Sequence, residues 1–277
     1  MNNRKRIFIK LFILLTFFLT LILVFSCHKK RSDIYNDDIS LAKIYLKEKL
    51  SIGLSIPFPP MADYDSNGNL VGYDIDVLTE VCNRLEVKPD FIIIDWSEKL
   101  DLLKSEQIDV LASGFGLTPE RVGVYLMTRP LVQNAQVLVV RSDSTNINSM
   151  KDLQGKFIGA QTGSTGEAII ADLMDKGFKC KLQTYSQIEI EISELKNRKL
   201  DALIIDLLVI NSYIHEEKLD FRILNEALED EKYVFAFRLG DKALKEEVEK
   251  ILLEMARDGY LEMLTRKWFY ANISLIR

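Results

Sequence analysis

Four short stretches, each directly after an apolar run, hold residue types that could do chemistry. Ser55-Ile56-Pro57-Phe58-Pro59-Pro60 follows Leu50 to Leu54. Ser113-Gly114-Phe115-Gly116-Leu117-Thr118-Pro119-Glu120-Arg121 follows Val110 to Ala112. Gln161-Thr162-Gly163-Ser164-Thr165-Gly166 follows Phe157 to Ala160, and Asp206 follows Ala202 to Ile205. The set pairs a guanidinium with hydroxyls, glycine turns and a carboxylate. A planar guanidinium gives two parallel hydrogen bonds to a carboxylate. A helix that starts after a glycine turn, at Ser164 and Thr165, offers free N–H groups to an anion, or is simply capped by a hydroxyl. A carboxylate after a strand either caps the next helix or accepts from a cation. Proton-transfer chemistry fits less well. It needs a general acid or base in place, and the only histidines, His28 and His215, lie outside these stretches. Three cysteines without a CxxC pair, and so few histidines, also argue against a structural zinc site. No cofactor motif is expected.

The elements that must present these stretches are short strands alternating with helices. Leu50–Leu54, Phe91–Ile94, Val110–Ala112, Val137–Val140, Phe157–Ala160, Ala202–Ile205 and Val234–Phe237 read as strands. Apolar residues at 75, 77, 78, 81, 82 and 85 predict a helix over 73–85. Helices are also expected at 96–105, 166–174, 188–196 and 207–213, with amphipathic helices from 242 to 269. Alternation of this kind means an α/β fold. The pattern restarts near Phe157, so two similar units are expected, without a solenoid repeat. Ligands of open α/β sheets lie beyond the carboxyl ends of the strands, which is where all four stretches fall.

Their order and spacing resemble the bacterial extracellular solute-binding proteins of family 3, which feed polar amino acids to transporters of the ATP-binding cassette type. The resemblance runs from about Leu50 to Phe269 and includes Gly68-Asn69-Leu70-Val71-Gly72-Tyr73-Asp74-Ile75-Asp76, Thr118-Pro119-Glu120-Arg121, Gln161-Thr162-Gly163-Ser164-Thr165 and Lys267-Trp268-Phe269. It implies a two-lobed periplasmic binding protein-like fold (type II). Each lobe would be a mixed sheet flanked by helices, joined to the other by a two-segment hinge near 132–135 and 232–234. Lobe 1 would comprise 48–132 and 235–277, and lobe 2 133–234. The resemblance also assigns roles. Arg121 would fork onto the α-carboxylate of a free amino acid, with Ser164 and Thr165 facing it from the other lobe. Asp206 and the Gly114 carbonyl would accept from the α-ammonium, Ser113 would touch the ligand, Phe58 would lie over it and Trp96 would wall the pocket. Gly116 stands where the family usually has a hydroxyl, so one carboxylate contact would be lost there. Ser55 is neutral where relatives that bind cationic side chains are acidic, which favours a polar or neutral ligand. Glu98, Lys99 and Asp101 read as a solvated helix face.

The chain begins as an address. Arg4-Lys5-Arg6 precedes an apolar run from Leu11 to Phe25 and then Ser26-Cys27, the layout of a secretory signal. It resembles a bacterial lipobox, although Phe25 sits where a small residue is usual. The reading is a signal peptide over 1–26, lipidation at Cys27 and a tether over 27–47, with the body exported and lipid-anchored on the periplasmic or extracellular face. The first 26 residues hold four of the 36 basic residues and no acid, so the remainder has 32 basic against 41 acidic residues. Such a body is a poor fit to nucleic acid. The expected partners are the amino acid and a membrane permease, with the chain itself a monomer. Cys82 and Cys180 read as two buried thiols. Two other readings share the fold: a dehydratase-like enzyme acting on cyclohexadienyl or arogenate substrates, and a ligand-sensing domain.

Overall fold

The computed structural model describes residues 38–277, which form one compact unit. The expected signal peptide and Cys27 lie outside the described residues.

Two five-stranded sheets organise the body. The first contains β1 (Lys49–Leu54), β4 (Lys88–Ile93), β5 (Val110–Leu111), β6 (Leu126–Met127) and β12 (Ala236–Phe237), in the order β4-β1-β5-β12-β6. The second contains β7 (Val132–Arg141), β8 (Phe157–Gln161), β9 (Lys181–Tyr185), β10 (Ala202–Asp206) and β11 (Phe221–Tyr233), in the order β11-β7-β10-β8-β9. A small hairpin pairs β2 (Asp63–Tyr64) with β3 (Leu70–Val71). In each large sheet four strands run one way and one runs against them: β12 in the first and β7 in the second. The shared plan gives two mixed α/β lobes.

The central strands are continuous apolar runs because both faces are covered. Leu50, Ile52 and Leu54 of β1 and Ile158 and Ala160 of β8 are fully buried. The flanking helices are amphipathic. α2 (Tyr73–Arg84) buries Ile75, Val77, Leu78, Val81 and Cys82. α5 (Ile188–Lys196) buries Ile188, Ile192 and Leu195, spaced by four and three residues. α7 (Lys242–Arg257) buries Leu244, Val248, Ile251, Leu252 and Met255. α4 (Thr165–Asp175), α6 (Leu207–Glu216) and α8 (Tyr260–Phe269) complete the set, with α3 (Lys99–Lys104) following a 3-10 turn at Trp96–Glu98.

Several sequence expectations change. Residues 40–47 were expected within a tether, yet Ser40–Lys47 forms helix α1. Its Ile44 is 1% exposed, and Ser40 Oγ accepts from the Leu244 N–H of α7 at 3.1 Å. The strand expected at 234–237 is split: β11 runs through Tyr233 and β12 begins at Ala236. β11 itself was not expected. Its pairing with β7 slips between Ile223 and Ala227 and again between Ala227 and Glu229, and such bulges erase the two-residue period. Cys82 is buried, but Cys180 is only half-buried, and both are free thiols. Among the described residues no helix is long and apolar enough to cross a membrane.

One buried carboxyl fixes the loop after β5. Asp74, in the first turn of α2, accepts from the Ser113 N–H at 2.8 Å, and the Gly114 N–H also binds it. Burial nevertheless pushes its pKa up to about 7. Asp74→Ala is expected to lower stability by about 1–3 kcal/mol, because buried N–H donors lose their acceptor. Urea unfolding monitored by circular dichroism measures this.

Candidate functional site

The loops after β1, β5, β8 and β10 meet at one buried cavity between the lobes. Phe58, Trp96, Gly114 and Arg121 reach it from the first lobe, and Ser164, Thr165 and Asp206 from the second. The free space is only about 10 Å³, roughly enough for one water molecule. The sequence reading named nine ligand contacts, and seven of them line this cavity. Ser113 and Gly116 do not.

Phe58 forms the floor. It is 4% exposed, and its ring packs on Tyr233 at 6.3 Å between centroids. The close approach of Phe58 to the 113–116 loop requires glycine at 114. The residue sits at φ +69°, and a Cβ there would lie 2.4 Å from the Phe58 ring. Trp96 is buried, with its ring edge-on to Phe115 and the Lys99 ammonium 4.8 Å above it. Arg121 donates from Nη1 to the Gly116 carbonyl at 2.7 Å and stacks 4.1 Å over the Phe115 ring. Burial lowers its pKa; Glu231 is the acid that opposes this most strongly.

On the second lobe, Ser164 caps α4: its Oγ accepts from the Glu167 N–H at 3.1 Å. Thr165 Oγ1 donates to Glu231 Oε1 at 2.7 Å. Asp206 sits at the N-cap of α6 but makes no capping bond. That task falls to Asn134, whose Oδ1 accepts from the Leu208 N–H at 3.2 Å. Asp206 Oδ1 instead accepts from Asn134 Nδ2 at 2.7 Å, from Gln136 Nε2 at 3.0 Å and from the Tyr233 hydroxyl. Burial and then the neighbouring Glu231 hold its pKa well above the usual carboxylate range. Burial and then Asp206 do the same to Glu191 behind it.

Two placements differ from the sequence reading. Ser113, at φ +60°, donates its hydroxyl to the Ser55 carbonyl at 3.2 Å and is fully buried, so it shapes the loop without facing the cavity. Gly116 lies against Glu231 and not on the cavity wall: a Cβ there would lie 1.9 Å from Glu231 Oε1. Lys99, expected on a solvated face, is 3% exposed and joins the lobes. Its Nζ donates to the Trp96 carbonyl at 3.0 Å and to the Gly163 carbonyl at 2.8 Å. Burial, helped by Arg121, lowers its pKa to about 8.

Sequence reasoning missed Glu231 and Gln136, and it named Gln161 in the third stretch without giving it a contact; all three also line the cavity. A signal existed for Gln136. Asn134 and Gln136 lie two apart in an apolar strand, so both point to one face, and a polar pair buried on a sheet face needs partners. A larger space of about 910 Å³ opens elsewhere, lined by Asp63, Tyr64, His215 and Trp268. No guanidinium enters it. Among the described residues no group of three or more His, Cys, Asp or Glu could hold a metal ion.

The arrangement is therefore a buried interlobe cleft with a cation on one lobe and an acid on the other. Comparison with known proteins gives the family and the fold. The chain is 28% identical over 225 residues to a probable amino-acid-binding protein of Bacillus subtilis, YxeM, covering 80% of this chain and 83% of that one. The crystal structure of Tv2483 bound to L-arginine superposes with a TM-score of 0.81 at 32% identity, covering 86% of this chain and 97% of the other. A substrate-binding protein of an ABC uptake transporter from Streptococcus pneumoniae, with bound histidine, gives 0.82 at 27% identity, over 86% and 99%. The profile of one family matches residues 50–271, nearly the whole described body. A cleft of this build, on this fold and across this length of sequence, places the chain among the bacterial extracellular solute-binding proteins, family 3.

Proposed function

We propose that this protein captures a free amino acid in the interlobe cleft and presents it to an ABC permease, acting as a binding protein without catalysis. One observation carries the reading: Arg121 of one lobe and Asp206 of the other line the same buried cavity. A buried zwitterion must have both charges matched, or desolvation costs several kcal/mol. Arg121 takes the α-carboxylate, with Thr165 and the N-terminus of α4 opposite. Asp206 and the Gly114 carbonyl take the α-ammonium. Phe58 and Trp96 exclude water, and the side chain points toward Gln161. Closure about the paired segments Val132–Ala135 and Asp230–Tyr233 brings the second lobe onto a ligand already docked on the first. Contacts made only in the closed form supply the differential affinity that shifts the population. Lipidation at Cys27 would keep the protein on the outer face of the membrane, beside its permease.

A thermal-shift screen with the twenty amino acids tests the reading. A ligand at a hundred times its Kd adds about 2.7 kcal/mol to stability. In a body of this size that raises Tm by roughly 5–10 °C. If no amino acid moves Tm, or if prephenate or arogenate is turned over, the reading fails.

A further inference from the structure

The cleft already contains a carboxyl group of its own. Glu231, near the end of β11, is 3% exposed. Its Oε1 takes the Thr165 hydroxyl at 2.7 Å, and its Oε2 takes Asn134 Nδ2 at 2.8 Å and Gln136 Nε2 at 2.9 Å. Both amides also hold Asp206, so two carboxyl groups share one pair of donors. Glu231 is the acid that acts most strongly on Arg121. Thr165 and Arg121 are the groups that the proposed function assigns to the ligand's α-carboxylate. Glu231 thus stands where that carboxylate would bind.

Glycine at 116 is what admits it. A Cβ at that position would sit 1.9 Å from Oε1 and 2.7 Å from the carboxyl carbon, which no real contact tolerates. Position 116 and position 231 are therefore one feature: the space left by one residue is filled by the carboxyl of the other. An incoming α-carboxylate meets a like group in a nearly full cavity. With about 10 Å³ of free space and a Thr165 hydroxyl whose one proton already goes to Glu231 Oε1, the two carboxyl groups cannot occupy the site together.

We propose that Glu231 is a tethered stand-in for the ligand's α-carboxylate, which an amino acid must displace to bind, and that the Gly116–Glu231 pair thereby sets the affinity of the site. The inference rests on the proposed amino-acid function and adds a specificity-determining residue to it. A ligand lacking the α-carboxylate has no need to displace Glu231.

The test uses three proteins: wild type, Glu231→Gln and Gly116→Ala. Gln keeps the shape and removes the acid. The Cβ of alanine at 116 drives the Glu231 carboxyl out by steric contact and brings no hydroxyl that could itself bind the ligand, so it provides an independent arm should Glu231→Gln fold poorly. Calorimetry is run with L-arginine against agmatine and L-histidine against histamine, together with any other amino acid that the thermal screen selects. Amino-acid affinity is expected to rise by at least about ten-fold in both variants, while the amines do not tighten. Unchanged or weaker amino-acid binding in the variants, or equal tightening of amines and amino acids, overturns the proposal and leaves the amino-acid reading standing. Failure of all three proteins to bind any amino acid overturns both.

Discussion

Arg121→Ala is expected to abolish tight amino-acid binding and leave the fold standing. Loss of one member of a buried charge pair costs about 3–5 kcal/mol, or roughly 10²–10⁴-fold in Kd. Here the loss is sharpened by what remains. Without the guanidinium, Asp206 and Glu231 are left as two neighbouring acids in a cavity of about 10 Å³, and an incoming carboxylate would be a third. The fold has less at stake. Arg121 holds the Gly116 carbonyl and covers the Phe115 ring, both within its own loop, and neither sheet passes through it. Calorimetry with the screened amino acid and a thermal melt separate the two effects. Binding of unchanged strength would remove Arg121 from the site, whatever the melt shows.

Much of this site could be read in the sequence because strand ends are easy to place. Apolar runs such as Phe157–Ala160 and Ala202–Ile205 mark buried strands, and the polar residues just after them fall at the carboxyl edge of the sheet. Arg121, Thr165 and Asp206 fall in the stretches found that way, and the family resemblance gave them their roles. What stayed hidden depends on three-dimensional company. Lys99 looks like any lysine on a charged helix, and only the approach of the Gly163 carbonyl from the other lobe explains its burial. Glu231 lies in Leu228-Glu229-Asp230-Glu231-Lys232, where four consecutive charged residues show no strand period although they pair with β7 in unbroken register. Gly116 looked like a lost contact. Its meaning appears once Glu231 is seen to fill the space. Ser113 has the right residue type in the right loop, yet Asp74 and the Ser55 carbonyl turn it inward.

Asp206→Asn is expected to split amino acids from their deaminated counterparts. The carboxylate matches the α-ammonium, so its loss weakens amino acids by about 10²-fold, the effect of breaking a charge-assisted bond in a dry site. The matching 2-hydroxy acids carry no ammonium and should hold their affinity. Parallel losses in both series would assign Asp206 a structural role instead. The same substitution is expected to flatten the pH dependence of the ligand-free protein. Burial and then Glu231 keep Asp206 protonated above the usual carboxylate range, with Tyr233 donating a hydrogen bond to it, Glu191 buried behind it and Arg121 across the cleft. The folded state therefore holds this proton more tightly than the unfolded chain, whose aspartates titrate near about 3.9. Stability is then greatest below that value and falls as pH rises toward the folded-state pKa. Asparagine has no proton to lose, so the slope contributed by residue 206 disappears. Ligand binding runs the other way: an ammonium recruits the ionised form, so amino-acid affinity of the wild type should rise over the same pH interval. Urea unfolding and calorimetry at matched pH read the two opposed slopes. Both have one source, a carboxyl group that the empty fold prefers neutral and the ligand requires charged.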